Sequence, residues 1–203
     1  MDSDSQAYTA WKSWQSVPFG LCSRVQRTYF QSELLRTSLD LHSHIRVLEI
    51  GFGNGSFMAF AKSKGWYVTG IEIIDSLISQ AQQHNYSAFK SSEISSLPIE
   101  SYHLVVAFDV FEHLCESDLD VLFVEIKRLL CFGGCLISRF PNGDSPFGLE
   151  GQNGYPTHSS AIGVGKVRYY AKKHGFEILF LGGEARPLPA GSTSLTIRRF
   201  ITM

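Results

Sequence analysis

Short apolar runs alternate with segments of helical hydrophobic spacing along the middle of the chain. The runs have the length and apolar content of buried strands and cover Ile45–Ile50, Trp66–Ile73, Tyr102–Phe108 and Cys135–Phe140. The helical segments between and after them cover Ser56–Lys64, Asp75–His84 and Leu119–Leu130. This alternation predicts βαβ units, and therefore a doubly wound, Rossmann-like α/β fold with a parallel sheet. Such sheets bind ligands at the carboxyl ends of their strands.

The two ends of the chain depart from this alternation. Residues 1–25 carry aromatic side chains without regular spacing, which predicts an irregular arm, and a helix is predicted over Gln26–Leu39. Trp11, Trp14 and Phe19 of the arm either anchor it to the domain or close over a bound substrate as a lid. Both roles remain open from the sequence.

A long segment rich in proline and glycine, Pro141–Gly165, follows the fourth apolar run. A loop of this length inside a compact domain usually serves a function. A helix is predicted over Lys166–Lys173, and strands over Phe176–Leu181 and Ser194–Ile201, which could pair antiparallel. The chain ends within the last of these predicted strands, so the natural chain is expected to extend further.

Composition and charge narrow the class of protein. With 203 residues, 44% of them hydrophobic, one domain is expected over residues 1–203: an arm and helix (1–40), a ligand-binding core (41–140), and a substrate loop with terminal strands (141–203). The net charge of -1 argues against nucleic-acid binding. The acidic N-terminus and the lack of a long apolar run predict neither export nor membrane insertion. Four cysteines without a CxxC pair predict reduced thiols and a cytoplasmic protein.

A glycine-rich turn lies between the first strand and the following helix. Gly51, Gly53 and Gly55 would let the backbone approach a ligand closely, and the helix N-terminus offers unpaired N–H groups. Glu72 closes the next strand, where a carboxylate can accept both hydroxyls of a ribose. Together they indicate a ligand that contains a nucleoside. Ser56 replaces the third small residue of a dinucleotide fingerprint, which disfavours a nicotinamide-dependent oxidoreductase.

Five segments together resemble the class I S-adenosylmethionine-dependent methyltransferases. They are VLEIGFGNGSF, VTGIEI, SSEISSLP, YHLVVAFDVFEHL and LLCFGGCLIS. The resemblance implies S-adenosylmethionine as cofactor, S-adenosylhomocysteine as product, and a mostly parallel seven-stranded sheet that ends in an antiparallel strand pair. A DNA methyltransferase of this fold would carry a [DNS]PP[YF] segment where this chain has AFDV. Small-molecule acceptors are therefore favoured, while protein substrates remain open.

The resemblance also implies a set of cofactor-binding residues. Glu72 would hold the ribose hydroxyls, Glu49 would reach the cofactor's ammonium group, and Glu93 would accept the adenine amino group. The whole implied set is Glu49, Gly51, Gly53, Gly55, Glu72, Ile73, Glu93, Ile94, Phe108 and Asp109.

Two histidines are candidates for a general base, which a hydroxyl acceptor would need. His113 belongs to the EHL segment and His158 to the long loop, and an imidazole titrates near neutral pH. Asn142, Asp144 and Tyr155 share that loop and either bind hydroxyls or form turns. The polar loop favours a sugar or glycan-like acceptor. The enzyme is expected to be a monomer or a homodimer. The alternative is a cofactor-binding or scaffold protein that keeps the fold without turnover.

Overall fold

A computed structural model describes residues 3–41, 44–147, 152–185, 197–199 and 201–202. Its main sheet contains β1 (Arg46–Ile50), β2 (Tyr67–Glu72), β3 (Ser87–Lys90), β4 (Tyr102–Phe108), β5 (Leu130–Arg139) and the short β8 (Ile201–Thr202). The spatial order is β3-β2-β1-β4-β5-β8. The first five strands are parallel, and β8 pairs antiparallel with β5. The predicted Rossmann-like arrangement is therefore confirmed.

Helices cover both faces of this sheet. They are α1 (Ser3–Trp11), α2 (Arg24–Leu34), α3 (Ser56–Ser63), α4 (Asp75–Gln83), α5 (Glu116–Leu129) and α6 (Val164–His174), with short 3-10 turns at Trp14–Ser16, Ser91–Ser96 and Phe111–His113. Neighbouring residues of one strand enter different cores, because successive side chains of a strand point to opposite faces. Val47 packs in the core with α2 and α3, whereas Leu48 packs in the core with α5 and α6. Burial on both faces explains why the strands read as continuous apolar runs.

The N-terminal segment is more regular than its sequence pattern predicts. It begins with α1 and one 3-10 turn, so the predicted irregular arm is wrong for these residues. The next helix, predicted over Gln26–Leu39, spans Arg24–Leu34 instead. It starts earlier because the hydroxyl of Ser23 accepts from the N–H of Gln26, whose side chain accepts from the N–H of Ser23 in return.

The main sheet differs from the predicted seven strands. Six strands form it among the described residues, and five of them are parallel. Strand β5 begins at Leu130, five positions before its predicted start, because its register against β4 shifts and the chain pairs on both sides of the shift. Strand β3 was not predicted, since only Ala88 of its four residues is buried and an edge strand of this kind has little apolar signal.

The described part of the C-terminus holds short strands. The strand predicted over Phe176–Leu181 is found only as β6 (Leu181–Gly183). It pairs antiparallel with β7 (Ile197–Arg199) in a separate two-stranded sheet. Much of the strand predicted over Ser194–Ile201 lies outside the described residues.

The long loop between β5 and α6 is tied together at its base. Asn142 and Ile162 form an isolated parallel bridge, and the N–H of Gly143 donates to the carbonyl of Ile162 at 3.0 Å. A carboxylate oxygen of Asp144 accepts from the N–H of Val164 at 2.6 Å, which caps the first turn of α6. Asn142 and Asp144 therefore have structural roles at the base of the loop.

No helix within the described parts of the chain has both the length and the apolar character needed to cross a membrane.

Candidate active site

The glycine-rich turn sits at the carboxyl edge of the sheet, between β1 and α3. Gly51, Gly53 and Gly55 have φ angles of 67°, 54° and 73°, which a residue with a side chain adopts only at a cost. Space is limiting as well, because a Cβ on Gly53 would lie 2.9 Å from the Trp14 ring and one on Gly55 would lie 2.4 Å from the Phe19 ring. Glycine is thus required here both for conformation and for close approach.

Glu72 joins this turn to the end of β2. One carboxylate oxygen accepts from the N–H of Gly53 at 3.0 Å, and the other accepts from the N–H of Ile73 at 2.7 Å and of Ile74 at 3.4 Å. The side chain is buried, and burial raises its pKa although the three backbone donors oppose the shift. A carboxylate offers about four acceptor positions, so the three backbone donors leave one free, on the oxygen that accepts from Gly53.

Glu49 lies behind the turn, in the interior of β1. Burial raises the pKa of its carboxyl well above the usual range, and the nearby charge of Glu72 acts in the same direction. One of its oxygens, Oε2, is buried and has no hydrogen-bond partner among the residues that the structure describes. A buried polar atom with no partner is costly to keep, so this oxygen marks a place where a ligand donor would fit.

The N-terminal segment lies directly on the glycine-rich turn. Trp14 contacts Gly53, Phe19 contacts Gly55, and the N–H of Gly20 donates to the carbonyl of Asn54 at 2.7 Å. Trp11 reaches in the other direction and packs edge-on against Tyr155 of the long loop, with ring centroids 4.9 Å apart. The three aromatics thus connect the turn with the long loop.

Tyr8 was not singled out from the sequence, yet it lies at this edge, where its ring packs against Trp14. Burial raises its pKa to about 12, together with the negative charges of Glu72, Glu112 and Asp109. Its ring also lies 6.3 Å from that of His113. The spacing of three between Tyr8 and Trp11 could have indicated an aromatic helix face, had the segment been recognised as a helix.

The remaining implied adenine contacts differ in their surroundings. Ile73 is 72% exposed, which is unusual for a large apolar side chain beside a buried carboxylate. Ile94 is partly buried against the core. Glu93 is exposed, and its carboxylate accepts from the N–H of Lys90 at 2.9 Å, so that it caps the 3-10 turn over Ser91–Ser96. Ile73 therefore offers the most open apolar surface.

Phe108 and Asp109 follow each other at the end of β4 but have different partners. Phe108 stacks on Phe30, with ring centroids 5.6 Å apart. Asp109 adopts a positive φ of 55° and forms a bidentate ion pair with Arg139, whose Nε lies 3.1 Å from Oδ1. Burial acts to lower the pKa of Arg139, but the Asp109 carboxylate raises it overall. The Asp109 carboxylate and the Arg139 guanidinium therefore form one charged pair at this edge.

The two candidate histidines meet, although they come from different segments. The rings of His113 and His158 lie 4.9 Å apart at an angle of 76°. Nδ1 of His113 faces the carbonyl of Thr157 at 2.9 Å, and Nδ1 of His158 faces the carbonyl of Gln152 at 3.1 Å. Burial lowers the pKa of His113, while the hydrogen bond to Thr157 acts to raise it.

Glu112 fastens the long loop to this histidine pair. Its carbonyl accepts from the N–H of Ser159 at 2.7 Å and of Ser160 at 3.0 Å, while its side chain is buried. The ring of Tyr155 stacks on His158 with centroids 5.0 Å apart. The loop is thereby held over the carboxyl edge of the sheet beside the glycine-rich turn.

A family model matches the part of the chain that forms this edge of the sheet. Residues 48–138 match the family described as a methyltransferase domain. They form a class I S-adenosylmethionine-dependent methyltransferase domain. S-adenosylmethionine is accordingly the cofactor of this methyltransferase domain. No curated protein sequence matches the chain.

Solved structures show the same methyltransferase fold. An S-adenosylmethionine-dependent methyltransferase from Archaeoglobus fulgidus is 19% identical, with a TM-score of 0.71 over 87% of this chain and 93% of that one. The partner of the Trm112 methyltransferase activator in a Haloferax volcanii complex is 14% identical, with a TM-score of 0.72 over 97% and 94% of the two chains. The [4+2]-cyclase SpnF is 19% identical, with a TM-score of 0.67 over 88% and 72%. The cyclase shows that the methyltransferase fold can serve other chemistry.

Proposed function

We propose that this protein transfers the methyl group of S-adenosylmethionine to a hydroxyl of a small acceptor, with a sugar or glycan-like acceptor favoured. The observation that carries the proposal is the position of the histidine pair. Tyr8 packs edge-on against both His113 and Trp14, and Trp14 lies against Gly53, so Tyr8 and Trp14 link the pair to the glycine-rich turn. Groups able to accept a proton are therefore next to the place where the methyl donor would sit.

The residues at this edge fit the cofactor. Once Trp14 and Phe19 move off the glycine-rich turn, its bare backbone would take the methionine end of the cofactor. Glu72 would accept the ribose hydroxyls, and the exposed Ile73 would support the adenine. Oε2 of Glu49 would accept a hydrogen bond from the ammonium group, directly or through water. Glu93 and Ile94 would bind the adenine edge, and Phe108 and Asp109 would face the methionine end.

When bound, the cofactor supplies an electrophilic methyl carbon whose bond to the sulfonium sulfur breaks as the acceptor oxygen attacks it in line. The chain's own residues position the acceptor and remove its proton. Because a carbonyl only accepts, Nδ1 of His158 and of His113 must carry hydrogen, and Nε2 then holds the lone pair of the neutral ring. Nε2 of one imidazole would take the hydroxyl proton as the new C–O bond forms.

The N-terminal segment would complete the site as a lid. Trp14 and Phe19 cover the turn and Trp11 touches Tyr155 of the long loop, so one segment contacts both the cofactor side and the acceptor side. Such a cover would exclude water from the cofactor. The cofactor would then enter and leave by movement of this segment.

The acceptor screen tests the proposal directly. Purified protein is incubated with S-adenosylmethionine and panels of sugars, nucleotide sugars and hydroxylated aromatics, and S-adenosylhomocysteine release is measured. Turnover with a hydroxylated acceptor that falls in the His158→Ala variant supports the proposal. Turnover confined to amines or peptides, or equal in His158→Ala and wild type, would overturn it.

A non-catalytic cofactor-binding or scaffold protein is the alternative, and the cyclase of the same fold supports it only in that this fold need not transfer a methyl group. It predicts micromolar binding of S-adenosylmethionine by calorimetry without turnover on any acceptor. A helper protein is a further requirement to test, since one structural neighbour was solved with an activator.

We also propose a cytoplasmic location, because all four cysteines are free thiols.

A further inference from the structure

We propose that Glu112, His113 and His158 form a binding site for a first-row divalent cation such as Zn²⁺ or Co²⁺. One carboxylate oxygen and one ring nitrogen from each histidine all lie within 4.8 Å of one another. Ligand distances of about 2.0–2.2 Å place two ligands of one ion roughly 3–4 Å apart. Small rotations of the imidazoles and the carboxylate would therefore close the set around one ion.

The hydrogen bonds of both histidines favour coordination. Each Nδ1 lies against a backbone carbonyl, Thr157 for His113 and Gln152 for His158, so each Nδ1 carries its hydrogen. The lone pair of each neutral ring is then on Nε2, the nitrogen that would face the ion. Metal-binding histidines usually donate their second N–H to a carbonyl or carboxylate in this way.

The neighbouring groups hold the three ligands in place before an ion binds. Glu112 and His113 belong to the 3-10 turn after β4, and the carbonyl of Glu112 accepts two N–H groups of the loop that carries His158. Tyr155 stacks on His158, and Tyr8 packs edge-on against His113. A preformed site loses less conformational entropy when it binds its ligand.

The electrostatic surroundings suit a cation. The Glu112 side chain is 1% exposed, and Asp109 acts on His113 as a further negative charge. Two positive groups act on His113 in the opposite direction: His158, which is itself one of the ligands, and Lys12. Burying a carboxylate is costly unless a positive charge balances it, and a divalent ion at this point would do so.

The donor set points to a transition metal instead of Mg²⁺ or Ca²⁺. Two imidazole nitrogens and one carboxylate oxygen suit Zn²⁺ and its first-row neighbours, whereas Mg²⁺ and Ca²⁺ prefer oxygen ligands throughout. Three protein ligands also leave a coordination position open. Both histidines are partly exposed, so an exchangeable ligand would have access to that position.

The role of this site rests on the proposed function. A hydroxyl oxygen coordinated at the open position would release its proton to solvent at a lower pH, because the ion stabilises the alkoxide. That oxygen would then form its bond to the methyl carbon while the carbon–sulfur bond breaks and its electron pair stays on sulfur. With the ion bound, the two histidines act as ligands, and coordination replaces their role as bases.

The test measures metal binding separately from turnover. Protein freed of metal with EDTA is titrated with ZnCl₂ by calorimetry and with CoCl₂ by visible absorption, and MgCl₂ serves as the hard-cation comparison. We expect one Zn²⁺ or Co²⁺ per chain, visible Co²⁺ bands typical of histidine ligation, and at least a tenfold weaker affinity in His158→Ala and in Glu112→Gln. The matched control is His103→Ala, at the opposite end of β4, which should bind as wild type does.

Several outcomes are decisive. No saturable binding by protein with a wild-type circular dichroism spectrum, or unchanged binding in His158→Ala, would overturn the site. If His158→Ala does not fold, Glu112→Gln and His158→Asn give the same comparison. Metal binding without turnover on any acceptor would uphold the site while the proposed function fails. Turnover insensitive to EDTA, with no metal bound, would uphold the proposed function and overturn the metal site.

Discussion

The N–H of Gly53 donates to a carboxylate oxygen of Glu72 across 3.0 Å, so the glycine-rich turn and the end of β2 form one unit. Glu72→Gln replaces one acceptor oxygen by an amide NH₂ group, which cannot accept a hydrogen bond from a backbone N–H or from a ribose hydroxyl. Hydrogen bonds to charged groups contribute about 1.5–3 kcal/mol each. We therefore expect the affinity for S-adenosylhomocysteine to fall roughly 10- to 100-fold.

Calorimetric titration checks this prediction, with the thermal midpoint of each variant as the folding control. Glu100→Gln is the matched surface variant, because Glu100 is exposed in the turn before β4. It should leave the affinity unchanged. Wild-type affinity in a folded Glu72→Gln protein would remove Glu72 from the cofactor site.

Glu49 predicts a pH-dependent stability. Burial raises the pKa of Glu49 in the folded protein above its unfolded value, so the folded state holds the proton over a pH range where the unfolded state has lost it. Stability from this group is complete below the unfolded pKa and is lost as the pH rises through the folded pKa. Glu49→Gln keeps the shape without the charge and should be more stable than wild type at pH 8, by roughly 1–3 kcal/mol, with little difference at pH 4.

Urea unfolding of wild type and Glu49→Gln at pH 4 and pH 8 measures their free energies of unfolding and tests this difference. The same variant should bind S-adenosylmethionine more weakly, because the amide cannot supply the charge that balances an ammonium group. A Glu49→Gln protein that gains no stability at pH 8 relative to pH 4 would mean that the carboxylate is solvated or paired in solution.

Removal of the N-terminal aromatics tests whether this segment acts as a lid over the site or only stabilises the fold. Deletion of residues 1–20 removes Trp14 and Phe19 from the glycine-rich turn and Trp11 from the long loop. If the segment excludes water from a closed site, turnover should fall roughly 10- to 100-fold and much more than cofactor affinity does. Steady-state kinetics and calorimetry on the truncated chain measure the two quantities.

Thermal unfolding of the truncated chain completes that experiment. A loss of folding as large as the loss of turnover would assign the aromatics to stability alone. Trp11→Ala gives a milder version, because Trp11 is 53% exposed and contributes less to the core.

Substitution of either histidine of the pair should lower turnover and leave cofactor affinity nearly unchanged. His158→Ala and His113→Ala each remove a group beside the acceptor and should lower kcat by about 10²–10⁴-fold. S-adenosylhomocysteine affinity should change less than about threefold, since neither ring belongs to the glycine-rich turn. His103→Ala, near the start of β4 and away from the histidine pair, is the control and should retain wild-type kinetics.

The strands that build the cofactor edge were predictable because both of their faces are buried. The strand predicted over Trp66–Ile73 spans Tyr67–Glu72 in the structure, and the strand predicted over Tyr102–Phe108 has these same bounds. Strand β3 escaped prediction since most of its side chains face outward, and the expected seventh strand of the sheet came from resemblance instead of from a pattern in this chain.

The site was predictable only where its residues are close in sequence. Gly51 to Gly55 and Glu72 belong to one βαβ unit, so periodicity alone places them together. The meeting of His113 with His158 depends on two hydrogen bonds from the loop to the carbonyl of Glu112, and no local pattern encodes that route. Tyr8 was missed because its helix follows no apolar periodicity.

The contacts at the base of the long loop fix its two ends to the rest of the domain, so the sequence between them can vary. The bridge from Asn142 to Ile162 and the cap that Asp144 places on α6 close the loop on the scaffold side. Residues inside the closure then add little to the entropy cost of folding, because this cost grows only with the logarithm of loop length. Under the proposed function, we expect insertions or substitutions between these ties, other than at His158, to change acceptor preference while the sheet and the glycine-rich turn stay intact.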